Sequence, residues 1–310
     1  MVLKRLLSSL GVGGPTVDTL LDAGPARPGE QLTGRVHLQG GDRDFEIEQI
    51  ALELLALVEA EHEHGESQGY VAFDRFVVGG GFRLAAGEQR EVPFAVSLPW
   101  ETPVTELHGQ SLGVALGVRT ELAVAGAKDK SDLDQLTVGP LPAQEAVLEA
   151  LGQLGFGFKS ADLEYGRLTG TGQRLPFYQE LELTPAPQYA LAFTELEVTF
   201  LAGPEGMDVI LEADKKGGLF PSGHDAVQRF TVSHVGPAGR DWNAEVGGWI
   251  RQLVEHRSSY GAHSDHGHGH HSGMGTAMAA GAAGVAVGVA GGLVAAEVID
   301  EVGDFFEGDE

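Results

Sequence analysis

The sequence contains no cysteine among its 310 residues. Disulfide frameworks and cysteine-based zinc sites are therefore excluded. Basic residues are also scarce, because 20 lysines and arginines stand against 45 aspartates and glutamates, and the formal net charge is −25. Such a charge repels the phosphates of nucleic acids and anionic lipid head groups. We therefore expect no nucleic-acid partner.

Several motifs of the common enzyme classes are missing as well. The chain has no GxxxxGK[ST] phosphate loop, no HExxH metalloprotease motif and no cysteine nucleophile. Asp129, Asp132 and Asp134 stand close together, but their spacing and the missing glycine do not match a calcium loop. A charged hairpin turn accounts for them better. We expect neither an enzyme nor a bound cofactor.

The N-terminal half reads mainly as short strands separated by proline and glycine. Pro28 and Gly29 suit the two central positions of a type II turn. The apolar residues of the next segment alternate with polar ones, and Gly40 and Gly41 follow as a second turn. Similar runs recur at short spacing as far as Val138, which is typical of an antiparallel β-sandwich.

The segment FEIEQIALELLALVEAEHEH, which begins at Phe45, is ambiguous by periodicity alone. Ile47, Ile50, Leu54 and Leu57 fit one face of a helix. A strand with a one-residue slip after Ile47 fits the same residues. We count the segment as a bulged strand because its neighbours read as strands.

A longer ordered series of turns and strands resembles one protein family, the SpoOM family of bacterial sporulation-control proteins. The resemblance covers roughly residues 1 to 260 and rests on these segments: VDTLLDAGPARPGEQLTGRVHLQGG, EIEQIALEL, VPFAVSLPWETPVT, LPFYQELELTP and LFPSGHDAVQRFTV. None of them is a catalytic motif. The resemblance implies an arrestin-like architecture of two tandem β-sandwich domains. It also implies a regulatory or scaffolding role in the cytoplasm without enzymatic activity.

The chain accordingly divides into three parts. We predict an N-terminal β-sandwich over residues 1–140 and a second β-sandwich over residues 141–260. The segment AQEAVLEALGQLGF opens the second part with a helical turn, and Leu191 to Phe200 reads as one bulged strand. From Asp241 to about Arg257 the apolar residues fall at helical intervals, which predicts an amphipathic helix that closes this part. Residues 261–310 form a histidine-rich linker and a glycine-rich, acidic tail.

The histidine-rich linker is the first candidate site. Its imidazoles can bind zinc, nickel or copper, but no cysteine or rigid scaffold fixes a tetrahedral geometry, so we expect a weak metal site. The candidate ligands are His263, His266, His268, His270 and His271.

The uncharged stretch 273–296 is the second candidate site. It is long enough to span a bilayer, but it consists largely of glycine and alanine, which gain little from transfer to lipid. Gly284, Gly288 and Gly292 are spaced as GxxxGxxxG, which allows two helices to approach closely. A flexible or self-associating tail, membrane insertion and an ordered helix on the body all remain open.

Two functional hypotheses follow. In the first, the protein is a non-enzymatic regulatory adaptor that binds other proteins through sandwich edges and loops. In the second, it is a membrane-associated or metal-responsive protein that works through the tail. The N-terminus MVLKRLLSSLG lacks a cleavage pattern and is interrupted by Ser8 and Ser9. We therefore expect a short amphipathic helix there, and a cytoplasmic protein that is at most peripheral to the membrane.

Overall fold

A computed structural model describes residues 13–62, 65–214, 226–236 and 239–262. The mainly β, arrestin-like fold with antiparallel strands that the sequence predicts is confirmed. The strands of the N-terminal half are β1 Thr16–Leu21, β2 Gln31–Gln39, β3 Phe45–His62, β4 Gly65–Gly79, β5 Phe82–Leu84, β6 Gln89–Ser97, β7 Glu106–Leu107, β8 Gln110–Ser111, β9 Leu116–Val124 and β10 Lys130–Gln135. The C-terminal half consists of α1 Pro142–Gln153, β11 Gly157–Tyr165, β12 Phe177–Thr184, β13 Glu195–Ala202, β14 Gly206–Asp214, β15 Ala226–Ser233 and α2 Trp242–Ala262.

The N-terminal half is a sandwich of two sheets. One sheet has the order β1-β2-β6, and the other contains β10, β9 and β3, with β4 and β5 paired to the far side of β3. The hydroxyls of Thr19 and Thr120, both fully buried, lie 2.6 Å apart and join the two sheets by a hydrogen bond. The predicted turn at Pro28–Gly29 is confirmed, because Gly29 has a φ of 73° and the Trp100 ring packs against it.

The ambiguous segment is a strand. β3 runs over 18 residues, and its pairing with β9 shifts register between Ile47 and Gln49, at the predicted slip. The shift keeps Ile47, Ile50, Leu52 and Leu54 on the buried face, where each is at most 1% exposed. The bulge is therefore what allows one strand to keep a continuous apolar face.

The C-terminal half is an antiparallel sheet in the order β11-β12-β13-β14-β15, and both helices pack on one face of it. The inward residues of β12, β13 and β14, including Leu181, Val198 and Val209, contact the helices in one core. The predicted amphipathic helix is confirmed as α2. Its N-terminus is capped by Asp241, whose carboxylate accepts a hydrogen bond from the N–H of Ala244 at 3.0 Å.

Two local predictions need correction. The helical turn predicted near residue 143 is a full 12-residue helix, α1, which begins with Pro142 at its first position. The strand predicted from Leu191 begins only at Glu195, and the N–H of Ala192 donates to the carbonyl of Tyr189 in a tight turn. Pro185 and Pro187 lie just before this turn and cannot donate ladder hydrogen bonds. Leu191 is consequently fully exposed.

The two halves share one sheet through β3. Beyond the end of β9, Glu59 of β3 pairs in parallel with Glu164 of β11. The rings of Phe73 on β4 and Phe177 on β12 meet edge to face at 5.6 Å between centroids. Leu163 and Phe177 also belong to the core of the N-terminal sandwich. The division at residue 140 stays a prediction.

A glutamine amide fastens this junction. Gln179 on β12 accepts a hydrogen bond from the N–H of Val104 at 2.9 Å and donates one to the carbonyl of Val104 at 2.7 Å. Nearby, the carboxylate of Glu101 accepts the backbone N–H groups of Arg174 and Leu175. The segment after β6 is thus held on the C-terminal sheet by backbone-directed hydrogen bonds.

We predict that Gln179→Leu destabilises the full-length protein by about 1–3 kcal/mol, because the partly buried backbone groups of Val104 lose both partners. Chemical denaturation followed by tryptophan fluorescence measures this. Gln188→Leu is the control, because the exposed Gln188 makes only a long hydrogen bond of 3.4 Å to the carbonyl of Leu154. Equal stabilities of the two variants would contradict the role of Gln179.

Candidate functional site

The residues that the sequence selects as sites lie outside the described part of the chain. They are His263, His266, His268, His270, His271, Gly284, Gly288 and Gly292. The expected N-terminal helix and the stretch 273–296 lie outside it as well. The metal, self-association and membrane hypotheses for the tail therefore stay predictions. Within the described residues, no helix has both the length and the apolar composition that a membrane span requires.

The aspartates of the segment after β9 act in the backbone network, in line with the predicted charged turn. Asp129 accepts a hydrogen bond from the N–H of Val124 at 3.1 Å. Asp132 accepts one from the N–H of Thr19 at 2.7 Å and so ties β10 to β1.

One motif was missed by the sequence reasoning. Residues 65–69, GESQG, match the pattern GxSxG of hydrolase nucleophile elbows. That chemistry needs a sharp turn between a strand and a helix, whereas Ser67 lies inside β4 and pairs with Ala60 of β3. The surroundings of Ser67 therefore do not form a nucleophile elbow.

The edges of the N-terminal sandwich already carry contacts at several points. On one side, Asp132 occupies an N–H of β1, and Ala26 and Val138 form a parallel bridge between the flanking segments. On the other side, Val92 of β6 packs against Gly79 of β4. These contacts occupy part of the edges at β1, β6 and β4.

The edge at β15 is open in the part of the chain that the structure describes. β15 pairs with β14 over eight residues without a register shift, and no described strand pairs with its other side. It carries a single charged residue, Arg229, and Phe230 stacks on Trp249 of α2 at 4.8 Å. β15 is therefore an ordered edge strand that is backed by a helix, an arrangement that suits the docking of an extended peptide.

The face of the C-terminal sheet that points away from the helices is crowded with carboxylates. Asp162 of β11 stands directly opposite Glu180 of β12, and Glu197 of β13 stands opposite both Glu182 and Glu212. Like charges directly opposite each other on neighbouring strands destabilise a sheet. We call Asp162, Glu164, Glu180, Glu197 and Glu212 the acidic face.

Part of this repulsion is relieved by Lys159. Its ammonium group donates to Glu195 at 2.5 Å and lies 2.9 Å from Glu182. Hydrogen bonds to these two carboxylates raise the pKa of Lys159.

A proton on Glu180 relieves more of the repulsion between these carboxylates. Burial, followed by repulsion from Glu197, Asp162, Glu164 and Glu212, raises the pKa of Glu180 to about 9. Glu180 is then neutral at pH 7 and can donate a hydrogen bond. Burial and the same acidic surroundings also raise the pKa of the Tyr178 hydroxyl.

Three members of the acidic face can also contact one cation. Oxygen atoms of Asp162, Glu164 and Glu180 lie within 4.8 Å of one another. Such a set of oxygens matches the preference of Ca²⁺ or Mg²⁺. A proton on Glu180 competes with a cation at this position, since ligation requires the carboxylate.

Two cavities lie in the part of the chain that the structure describes. One, at the junction of the halves, has a volume of about 10 Å³, the space of a single water molecule, and Trp100 and Gln179 line it. The other, of about 340 Å³, lies at the end of the sandwich and is lined mainly by apolar residues such as Leu32 and Leu136. The Thr102 hydroxyl, which lines the first cavity beside Glu101, donates to the carbonyl of Pro99.

Comparison with known proteins agrees with this fold. The family model described as "SpoOM protein" matches residues 3–217. The sporulation-control protein spo0M of Bacillus subtilis is 36% identical over 214 residues, which cover 69% of this chain and 80% of that protein. The crystal structure of Spo0M from Bacillus subtilis superimposes with a TM-score of 0.66 at 30% identity, over 79% of this chain and 100% of that chain.

We predict that Glu180→Gln raises the stability of the full-length protein at pH 8 by at least about 1 kcal/mol, the equivalent of one pKa unit. The folded state binds a proton on Glu180 up to a pH of about 9, whereas an unfolded glutamate releases it near 4.5. The contribution of Glu180 to wild-type stability should therefore be complete below pH 4.5 and be lost as pH rises towards 9. Glutamine mimics the protonated form and removes this loss.

Urea denaturation between pH 5 and 9 measures the difference. The control is Glu205→Gln, since Glu205 is an exposed carboxylate outside the acidic face. Parallel pH profiles for the wild type and Glu180→Gln would contradict the buried proton.

Proposed function

Because this chain belongs to the SpoOM family of sporulation-control proteins, we propose that it is a non-enzymatic regulatory adaptor that acts by binding other proteins. Its homologue in Bacillus subtilis is named a sporulation-control protein, and family membership supports a regulatory role in sporulation. The binding mechanism is the finer part of the proposal. It rests on the open edge of β15.

Strand addition at β15 is the binding mode that we propose. An extended segment of the partner would pair with the free N–H and C=O groups of β15 and lengthen the C-terminal sheet. The stacking of Phe230 on Trp249 holds this edge in place from below, so little ordering of β15 is needed on binding. Backbone pairing supplies affinity, and side chains on β15 and α2 supply selectivity.

Several polar residues already serve to hold the fold together, which is consistent with a role without catalysis. Gln179, Glu101 and Asp132 hold backbone segments together. Glu180 of the acidic face retains a proton, and the neighbouring Glu182 and Glu195 pair with Lys159. These groups are engaged in supporting the fold, which suits a binding protein.

A truncation after Ala262, the last residue of α2, distinguishes the adaptor hypothesis from the hypothesis that the protein works through its tail. We predict that the truncated protein retains the protein partners that the full-length chain captures from its native cell. Quantitative mass spectrometry of parallel pull-downs measures this retention. Loss of all partners with the tail, while the body stays folded by circular dichroism, would favour a protein that works through its tail.

We predict that a proline on the outward side of β15 lowers partner capture about fivefold, the effect of one lost backbone hydrogen bond of about 1 kcal/mol. Gln228→Pro and Thr231→Pro are compared, with Thr231→Val as the reference for loss of the hydrogen bond from the Thr231 hydroxyl to Asp208. They lie three residues apart, so the N–H of one points towards β14 and the N–H of the other points outward. The outward variant should keep its thermal stability and lose partner, whereas the inward variant should be destabilised.

If the outward proline variant keeps wild-type stability and captures as much partner as the wild type does, strand addition at β15 is excluded. The regulatory role that family membership supports would stand in that case, with a different contact surface.

A further inference from the structure

A second metal-capable cluster lies where the short hairpin of β7 and β8 meets α1. Leu107 pairs with Gln110, so His108 and Gly109 form the two-residue loop. Both have positive φ angles, 52° and 75°, as the tight hairpin turn requires. Such backbone geometry is uncommon for residues other than glycine, although asparagine, aspartate and histidine adopt it several times more often than the rest. It fixes the point from which the imidazole of His108 reaches α1.

The imidazole meets two carboxylates. Nε2 of His108 lies 3.0 Å from Oε1 of Glu145 and 3.4 Å from Oε1 of Glu149. One ligand atom from each of the three residues falls within 4.8 Å of the others. The two glutamates stand four residues apart on α1 and therefore share one helix face.

From this geometry we propose that His108, Glu145 and Glu149 form a binding site for Zn²⁺. A zinc ion binds imidazole nitrogen at about 2.0–2.1 Å and carboxylate oxygen at about 2.0–2.2 Å. In a tetrahedral complex these bond lengths place neighbouring ligand atoms about 3.4 Å apart. The distance from Nε2 to Glu149 already has this value, and the hydrogen bond of 3.0 Å from Nε2 to Glu145 would lengthen slightly as zinc replaces it. Water fills the fourth position.

The electrostatics favour a cation at this position. Two glutamates four residues apart on a helix repel each other. With a neutral imidazole the cluster carries two negative charges, and a divalent ion neutralises both. Glu145 lies in the first turn of α1, where the helix N-terminus supports a negative charge. Glu149 lacks this support and gains more from the ion.

Zinc at this site would act as a clasp between the halves of the protein. The β7–β8 hairpin belongs to the N-terminal half, and Val104 just before it is held by Gln179 of β12. α1 belongs to the C-terminal half. The ion would add a further fastening between them, which makes the stability of the junction responsive to zinc. This inference does not depend on binding at β15.

The test compares zinc binding by full-length variants at pH 7.5. The five histidines of the linker, His263, His266, His268, His270 and His271, are changed to alanine in all samples to remove their contribution. Titration of EDTA-treated protein with ZnCl₂ should then show one equivalent bound. Saturation should raise the midpoint of thermal unfolding by at least about 3 °C.

His108→Asn and Glu149→Gln should each weaken zinc binding at least tenfold and abolish the thermal shift. Asparagine tolerates the positive φ at position 108, so the hairpin is preserved. His37→Ala is the matched control, because His37 lies beside one carboxylate, that of Glu91 at 3.4 Å. It should retain the full response. No thermal shift in the parent protein with the five linker histidines replaced, or an equal shift in His108→Asn, would overturn the proposal.

Discussion

The fold depends on the register of β3, the strand that pairs both with β9 in the N-terminal sandwich and with β11 in the C-terminal sheet. Its side chains alternate between two faces, so a slip by one residue would expose Leu52 and Leu54, which are fully buried. The register shift after Ile47 prevents this by absorbing the extra residue. The same strand also carries the pairing of Glu59 with Glu164 that joins the C-terminal sheet to the N-terminal sandwich.

Excess negative charge is the second constraint, and many of the carboxylates lie close together on the C-terminal sheet. Residues of one sign that face each other across neighbouring strands would normally weaken the sheet. Here Lys159 neutralises one end of the row, and a proton retained by Glu180 neutralises the centre. The sheet therefore tolerates acidic residues because their protonation and pairing are set locally, although the chain as a whole carries a charge of −25.

Features set by neighbours in the chain could be predicted from the sequence, and those set by the tertiary fold could not. Alternation, turn residues and helical spacing identified β2, the turn at Pro28–Gly29 and α2. The prediction that a strand begins at Leu191 was wrong, because the alternation of apolar residues takes no account of the two prolines before it. The cluster of His108, Glu145 and Glu149 had no signal at all, since its members lie on a hairpin and a helix that meet only when the two halves pack together.

The open edge at β15 and the tail are physically linked through α2. Trp249, which supports Phe230 of β15, lies 13 residues before Ala262, where the described part of the helix ends. At 1.5 Å per residue this separation is about 20 Å. This distance is shorter than the width of a small domain. A protein docked on β15 would therefore extend close to Ala262, and the histidine-rich linker lies next to that residue in the chain. Body and tail need not be alternatives, because a partner held by the edge strand would also place its surface close to the linker.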